Sequence, residues 1–314
     1  MLTATALIVV IFQFIPLSEV LAVLSNARPG YLAAGLAVVM LGNYVQAVEL
    51  WLLTRRQGLP WNSWKIFEVN MITRFYGQFL PSELMASAVK LYRLAAPKNQ
   101  WGEVLAALGF ARFVNMLTLV LLGVVFWLLD MPLGAGRLLG PLMIGLAAAL
   151  VTAHVLLMRP AVGDAARRLV PDWSFRWLGN KLPVRGQELA TVTMRSYRRF
   201  HDMVPVISVF SLAGHALGIL YFALFAMSVD AELSIVTIGW VRVVLYLVLM
   251  LPISVSGIGL REGSLVLLLQ DFGVSSGQAV ALALILFASS LVANALGGLF
   301  EVKNLLRPEG GNKP

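Results

Sequence analysis

The chain has 314 residues, 59% of them hydrophobic and 13% charged, with mean hydropathy +0.82. Soluble domains carry about 25% charged residues, so this composition excludes a soluble fold and predicts an all-α protein crossing a membrane several times. The absence of cysteine removes disulfide and thiolate chemistry, and three histidines without ligand-like spacing offer no metal centre.

An apolar helix needs about 20 residues to cross roughly 30 Å of hydrocarbon. The N-terminal run MLTATALIVVIFQFI has neither a basic leader nor a small-x-small cleavage site, so residues 2–24 read as a retained first span. A second span covers 31–53 and ends in Arg55 and Arg56. Next comes RFYGQFLPSELMASAVKLYRL (Arg74–Leu94), where a Leu-Pro break and charged side chains interrupt an apolar stretch. Further spans follow at 103–129, 138–158, 203–228 and 277–302, and a second broken segment, LPISVSGIGLREGSL (Leu251–Leu265), precedes the last of them.

The net charge of +8 suits nucleic acid or a membrane surface, and its placement decides between them. Arg159, Arg167, Arg168, Arg176, Lys181, Arg185, Arg195, Arg198 and Arg199 crowd a loop at 159–202, opposed only by Asp164, Asp172, Glu188 and Asp202. Such a loop between apolar segments marks the cytoplasmic side, where it meets anionic phospholipid headgroups. No motif supports nucleic-acid binding. Arg55, Arg56, Lys90, Arg93, Lys98, Lys303 and Arg307 share that side, so both termini are expected in the cytoplasm and Asp230–Glu232 outside.

This topology constrains the broken segments. Residues 64–93 start and finish inside, and residues 234–272 start and finish outside, so each is expected to enter the membrane and return. Two span-span-hairpin-span halves result, 1–135 and 136–314, the second inverted, which is a recurrent transporter plan. Arg74 before Pro81 and Arg242 before Pro252 give a weak internal match. The simpler alternative is that 234–251 and 258–272 cross as two short helices.

The second motif, LPIS-x-SGIGLREG followed by a leucine run and FGV within Ala231–Ser276, resembles the flippase-like transmembrane region of lysylphosphatidylglycerol synthases. Asn70, Pro81 and Lys90–Arg93 resemble that family's earlier Asn…Pro…basic hairpin, and Arg112 in ARFVNML stands where the family has an arginine on its next span. The resemblance covers nearly the whole chain. SELMAS, with Glu83, replaces the family's Gly-Gly pair and acidic residue after the first proline. With no aminoacyl-transferase domain expected after Pro314, the resemblance implies a stand-alone member in the bacterial plasma (inner) membrane. Such a member moves a phosphate-bearing lipid or lipid-linked saccharide between leaflets and does not make it.

The residues themselves carry a matching pattern. Asn70, Arg74 and Gln78 share one helical stripe, as do Glu83, Ser87 and Lys90 beyond the break, while Arg112 and Asn115 share a face of the next span. Around the second break lie Arg242, Ser254, Ser256, Arg261 and Glu262. A helix starting near Leu260 would turn its N–H groups and positive end toward phosphate, and arginine adds a forked donor. The expected substrate-binding set is therefore Asn70, Arg74, Gln78, Glu83, Lys90, Arg93, Arg112, Arg242, Ser254, Ser256, Arg261 and Glu262. Of the adjacent pair Arg261 and Glu262, the arginine is the expected ligand residue and the glutamate a brace.

Each has a plainer reading. Buried Arg and Glu side chains can pair internally, and Lys90 and Arg93 can reach to headgroups. Glu49, with Asn43 and Gln46, either lines a cavity or joins helices. His215 and Tyr221 read as packing residues. GIGLREG resembles a dinucleotide loop in its letters only, since no strand–helix unit surrounds it.

No Walker motif is present, so ATP is not expected to drive transport and no cofactor is called for. Glu49, Glu83 and Glu262 are the candidates for carrying a coupled proton. No catalytic residues are assigned and the protein is not expected to be an enzyme. Two other classes stay open: a membrane enzyme acting on lipid phosphates, and an accessory subunit whose basic loop docks a cytoplasmic or membrane enzyme of the same lipid pathway.

Overall fold

The computed structural model describes residues 17–79, 83–132, 136–159, 186–250 and 257–306. Pro81, Pro252, Ser254, Ser256, the Glu83 side chain, most of the basic loop and residues 2–16 of the first expected span lie outside them. The described residues form eleven α-helices and no strand. They are α1 (Leu17–Ser25), α2 (Pro29–Arg56), α3 (Ser63–Gly77), α4 (Glu83–Ala95), α5 (Trp101–Asp130), α6 (Gly136–Met158), α7 (Gly186–Arg198), α8 (Val204–Ser228), α9 (Ile235–Leu249), α10 (Leu260–Leu269) and α11 (Ser276–Leu306).

Among the described residues five helices are long and apolar enough to cross a membrane: Pro29–Arg56, Trp101–Asp130, Arg137–Met158, His201–Ser228 and Ser276–Leu306. They coincide with five of the spans expected from hydropathy, and the chain is a multi-pass membrane protein. Their outer faces are what lipid requires. Leu121, Val125 and Leu128 on α5, and Leu138 and Leu142 on α6, are all exposed. In water such a surface would aggregate, whereas in hydrocarbon it costs nothing.

Two pairs of short helices differ from these. Helix α3 has 15 residues and packs on α4, which has 13. Helix α9 has 15 residues and packs on α10, which has 10. At about 1.5 Å per residue none exceeds roughly 23 Å, so none alone crosses the hydrocarbon. Local chemistry sets where they start. Asn62 Oδ1 accepts from Lys65 N–H at 2.8 Å to cap α3, and Ser234 Oγ accepts from Thr237 N–H at 3.0 Å to cap α9. Ser275 and Gln278 cap α11 reciprocally, at 3.1 Å and 3.0 Å.

The chain forms two compact units. The first contains Met1–Gly42, Leu119–Gly145 and Gly214–Leu299, and so holds the α9–α10 pair. Its core includes Trp240, Phe222, Phe225, Leu265 and Leu282, each no more than 1% exposed. Trp240 Nε1 donates to Asp130 Oδ2 at 2.6 Å, which satisfies the indole's one polar atom. Gly239 lies directly against the Phe126 ring, where any side chain would overlap it, so α9 and α5 approach closely.

The second unit contains Asn43–Thr118, Leu146–Ala213 and Phe300–Pro314, and so holds the α3–α4 pair. Phe110, Phe200 and Tyr197 cluster in its core, with ring centroids 5.2 Å apart from Phe110 to each of the others. Helix α7 is thereby anchored by Tyr197, whose phenol is pushed up to about 12 by burial. Arg195 on the same helix is exposed. Gln57 Nε2 donates to the Ser196 carbonyl at 3.2 Å, and Arg56 pairs with Asp202 at 2.6 Å.

Candidate functional site

The α9–α10 pair brings two arginines to one region of the first unit. Gly257 and Gly259, at φ +75° and +81°, turn the chain into α10 in a conformation that side chains resist. Glu262 Oε2 then accepts from the Gly259 N–H at 2.6 Å, and only 7% of Glu262 is exposed. The glutamate is therefore the internal anion at the α10 N-terminus, the position that a phosphate would otherwise occupy. The Arg261 guanidinium also lies beside the turn, with Nη2 3.4 Å from where a Cβ on Gly257 would sit.

The Arg261 guanidinium lies over the Phe287 ring, 5.4 Å from its centroid, and interacts electrostatically with Tyr221 as well as Glu262. Arg242, on α9, reaches the same tyrosine with its guanidinium carbon 5.9 Å from the ring centroid. Tyr221 and Gly218 occupy one face of α8, three residues apart. A methyl group on Gly218 would overlap the Arg242 guanidinium, so that glycine provides the arginine's seat. Among the described residues, buried Arg242 Nε and Arg261 Nη1 have no hydrogen-bond partner and no carboxylate forms a salt bridge with either arginine. Cations resting on aromatic faces with N–H donors to spare have the chemistry that an anion calls for.

The α3–α4 pair is organised differently, around an acid far away in sequence. Arg93 Nη2 donates to both oxygens of Glu301, at 2.5 Å and 2.7 Å, and Tyr76 OH donates to Glu301 Oε1 at 2.8 Å. Glu68 on α3 accepts from Asn304 Nδ2 at 2.6 Å and from Lys65 Nζ at 3.2 Å. The end of α11 is thus tied to both short helices. Beside these ties opens a cleft of about 950 Å³, lined by Tyr76, Tyr92 and Arg93 with Ala88, Val89 and Pro97. An apolar wall with phenolic and cationic edges suits an amphiphile.

The expected stripe Asn70–Arg74–Gln78 does not present one uniform face. Asn70 is buried, whereas Arg74 is exposed and donates to Gln46 Oε1 at 2.9 Å. Helix α3 ends at Gly77, and Gln78 is its C-cap. Lys90 is half-buried on α4, Arg112 is exposed on α5, and Asn115 lies one turn from Arg112. Glu49 is 3% exposed and accepts from Ser211 Oγ at 3.0 Å, which is a polar joint between α2 and α8. His215 is buried on α8.

Glu301 went unnoticed in the sequence although a signal existed. It is a charge inside the last apolar span, as Glu49 is inside the second, and the basic face of α4 calls for a counter-charge. Groups of three or more His, Cys, Asp or Glu side chains able to hold a metal do not occur among the described residues.

Comparison with known proteins gives one match. The family model for the lysylphosphatidylglycerol synthase TM region matches residues 1–298, which is almost the whole chain. No curated protein and no solved structure matches it.

Proposed function

The chain belongs to the lysylphosphatidylglycerol synthase TM region family, and on that premise we propose that it moves a phosphate-bearing lipid between the leaflets of a membrane. The observation that carries this reading is the pair Arg242 and Arg261, seated on Tyr221 and Phe287, with no carboxylate at salt-bridge distance among the described residues. A cation at membrane depth is costly and is retained where it serves a ligand or a pathway.

In this reading the two short-helix pairs are re-entrant hairpins from opposite faces, and the halves 1–135 and 136–314 form an inverted repeat. Helices too short to span end at membrane depth, and lipid tolerates such ends only where protein or a protected cavity covers them. The headgroup travels along protein donors while the acyl or prenyl chains stay in hydrocarbon. This removes the main barrier to flipping, the transfer of a phosphate from water into an apolar medium. Arg242 and Arg261 bind the phosphate. In the second unit Arg74, Lys90 and Arg112 supply further cations, and Tyr76 and Tyr92 offer hydroxyls beside the α3–α4 cleft. The protein performs no covalent chemistry. Its membrane is the bacterial plasma membrane, with both termini and the basic segment in the cytoplasm, where anionic phospholipids hold the Arg-rich surface.

The test is reconstitution into liposomes with fluorescent phospholipid and polyprenyl-phosphate probes, comparing wild type with Arg74→Ala and Arg261→Ala. Loss of one charge-assisted phosphate contact is expected to slow transport about tenfold or more, corresponding to roughly 1.5–3 kcal/mol. Wild-type rates in both variants with every lipid would remove the assignment.

A further inference from the structure

We infer that lipid movement is coupled to a proton, which binds to and leaves the Glu49 carboxyl on α2. The inference rests on the lipid-transport reading and adds an energy source to it. The step is an ionisation: an O–H bond forms at one carboxylate oxygen and later breaks, and no other reactant is consumed.

Glu49 precedes Arg55 on α2 and lies about 9 Å inward of it, at about 1.5 Å per residue. It is 3% exposed, and its Oε1 accepts from Ser211 Oγ at 3.0 Å. Among the described residues no cation forms a salt bridge with it. The arginines at the end of its own helix are engaged elsewhere: Arg56 pairs with Asp202 at 2.6 Å, and Arg55 lies over the Trp51 ring. The next titratable side chain along α8 is His215, buried one turn beyond Ser211. Other acids have the compensation that an anion needs. Glu262 has a backbone N–H at the positive end of α10, and Glu301 has Arg93. An ionised carboxylate taken out of water with one hydroxyl donor is poorly compensated, whereas the protonated acid is neutral and needs only an acceptor. Ser211 Oγ serves both forms, donating to the carboxylate and accepting from the acid. A joint between helices needs only polar side chains; an acid adds a second charge state at membrane depth.

The same helix face links this acid to a candidate phosphate residue. Gln46, one turn before Glu49, accepts from Arg74 Nη2 at 2.9 Å, and all of these residues belong to the second unit with Ser211. A phosphate held by Arg74 brings negative charge toward the Glu49 carboxyl, in surroundings that screen poorly. Two anions there repel, so bound phosphate favours a proton on Glu49, and by reciprocity the proton favours the phosphate. The loaded protein then holds both. A phosphodiester and its proton together carry no net charge, which lowers the cost of passage through hydrocarbon.

The experiment uses the full-length protein in liposomes doped in turn with fluorescent phosphatidylglycerol and polyprenyl phosphate. Leaflet exchange is read by quenching under an imposed pH gradient of each sense, a sodium gradient, or neither. The pH gradient is expected to speed exchange of at least one probe about fivefold or more in the wild type, and to change the Glu49→Gln rate less than about twofold. Independently of transport, an indicator dye in weak buffer follows proton uptake when the same lipids are added to the detergent-solubilised protein. Uptake is expected in the wild type and not in Glu49→Gln, whose amide keeps a partner for Ser211. Glu49→Asp, which restores a carboxyl, is expected to recover both responses; loss of both in the two variants alike marks Glu49 as a structural joint and overturns the inference. Wild-type exchange that ignores the pH gradient, or follows a sodium gradient in its place, also overturns it and leaves lipid transport standing. So does a Glu49→Gln variant that answers the pH gradient as the wild type does. Exchange of no lipid above the protein-free rate overturns both readings together.

Discussion

Glu301→Gln tests how the first short-helix pair is held. Glu301 receives two hydrogen bonds from Arg93 and one from Tyr76, and the Arg93 and Glu301 side chains are only 27% and 12% exposed. Removing one partner from a fully buried pair costs about 3–5 kcal/mol, because the other charge is left without compensation. Partial exposure lowers that, and glutamine keeps an acceptor for Tyr76, so the expected loss is roughly 2 kcal/mol. Arg93→Met keeps much of the arginine stem's packing and removes its charge. A double-mutant cycle on the two positions isolates the pair from these side effects, with an expected coupling of about 1.5–2.5 kcal/mol. Denaturant unfolding in a mild detergent, followed by tryptophan fluorescence, measures it. A coupling below about 0.5 kcal/mol, the value of an ordinary exposed ion pair, refutes the claim that Glu301 fastens α4 to α11.

Two further perturbations probe the frame around the proposed path. Ser211→Ala takes the hydroxyl donor from the buried Glu49 carboxylate and is expected to cost about 1–3 kcal/mol, read as a lower unfolding midpoint, with Ser211→Thr retaining most of the stability. Gly259→Ala forces a Cβ into φ +81°, for an expected cost of about 1–3 kcal/mol, and loosens the turn that Glu262 closes. An unchanged midpoint in Gly259→Ala would mean that the turn is not held in that conformation.

The five long helices were legible because crossing hydrocarbon is a local demand. A run such as Trp101–Asp130 must be apolar along its length, and its ends announce themselves by charge or cap. The short helices were legible for the same reason in reverse, since the Leu-Pro pairs and nearby arginines break the pattern where Ser63–Gly77 ends and before Leu260–Leu269 begins. The bracing contact of Glu262 was also implicit, because an acid three residues past a glycine caps the helix.

Which distant group meets which was not legible. Arg93 and Glu301 are 208 residues apart, and Trp240 and Asp130 are 110 apart, with nothing in either local sequence to name the other. Asn70 and Arg74 share a stripe by spacing, yet one is buried and the other exposed, because neighbouring helices and not periodicity decide what covers a face. Hydropathy and charge alone determined a chain of membrane helices interrupted twice by polar breaks. Tertiary packing decided which charges those breaks keep for themselves. It gave Glu262 to its own helix and Glu301 to Arg93, and among the described residues it left Arg242 and Arg261 on aromatic rings with donors unspent, because a buried charge takes whatever partner the fold brings within reach.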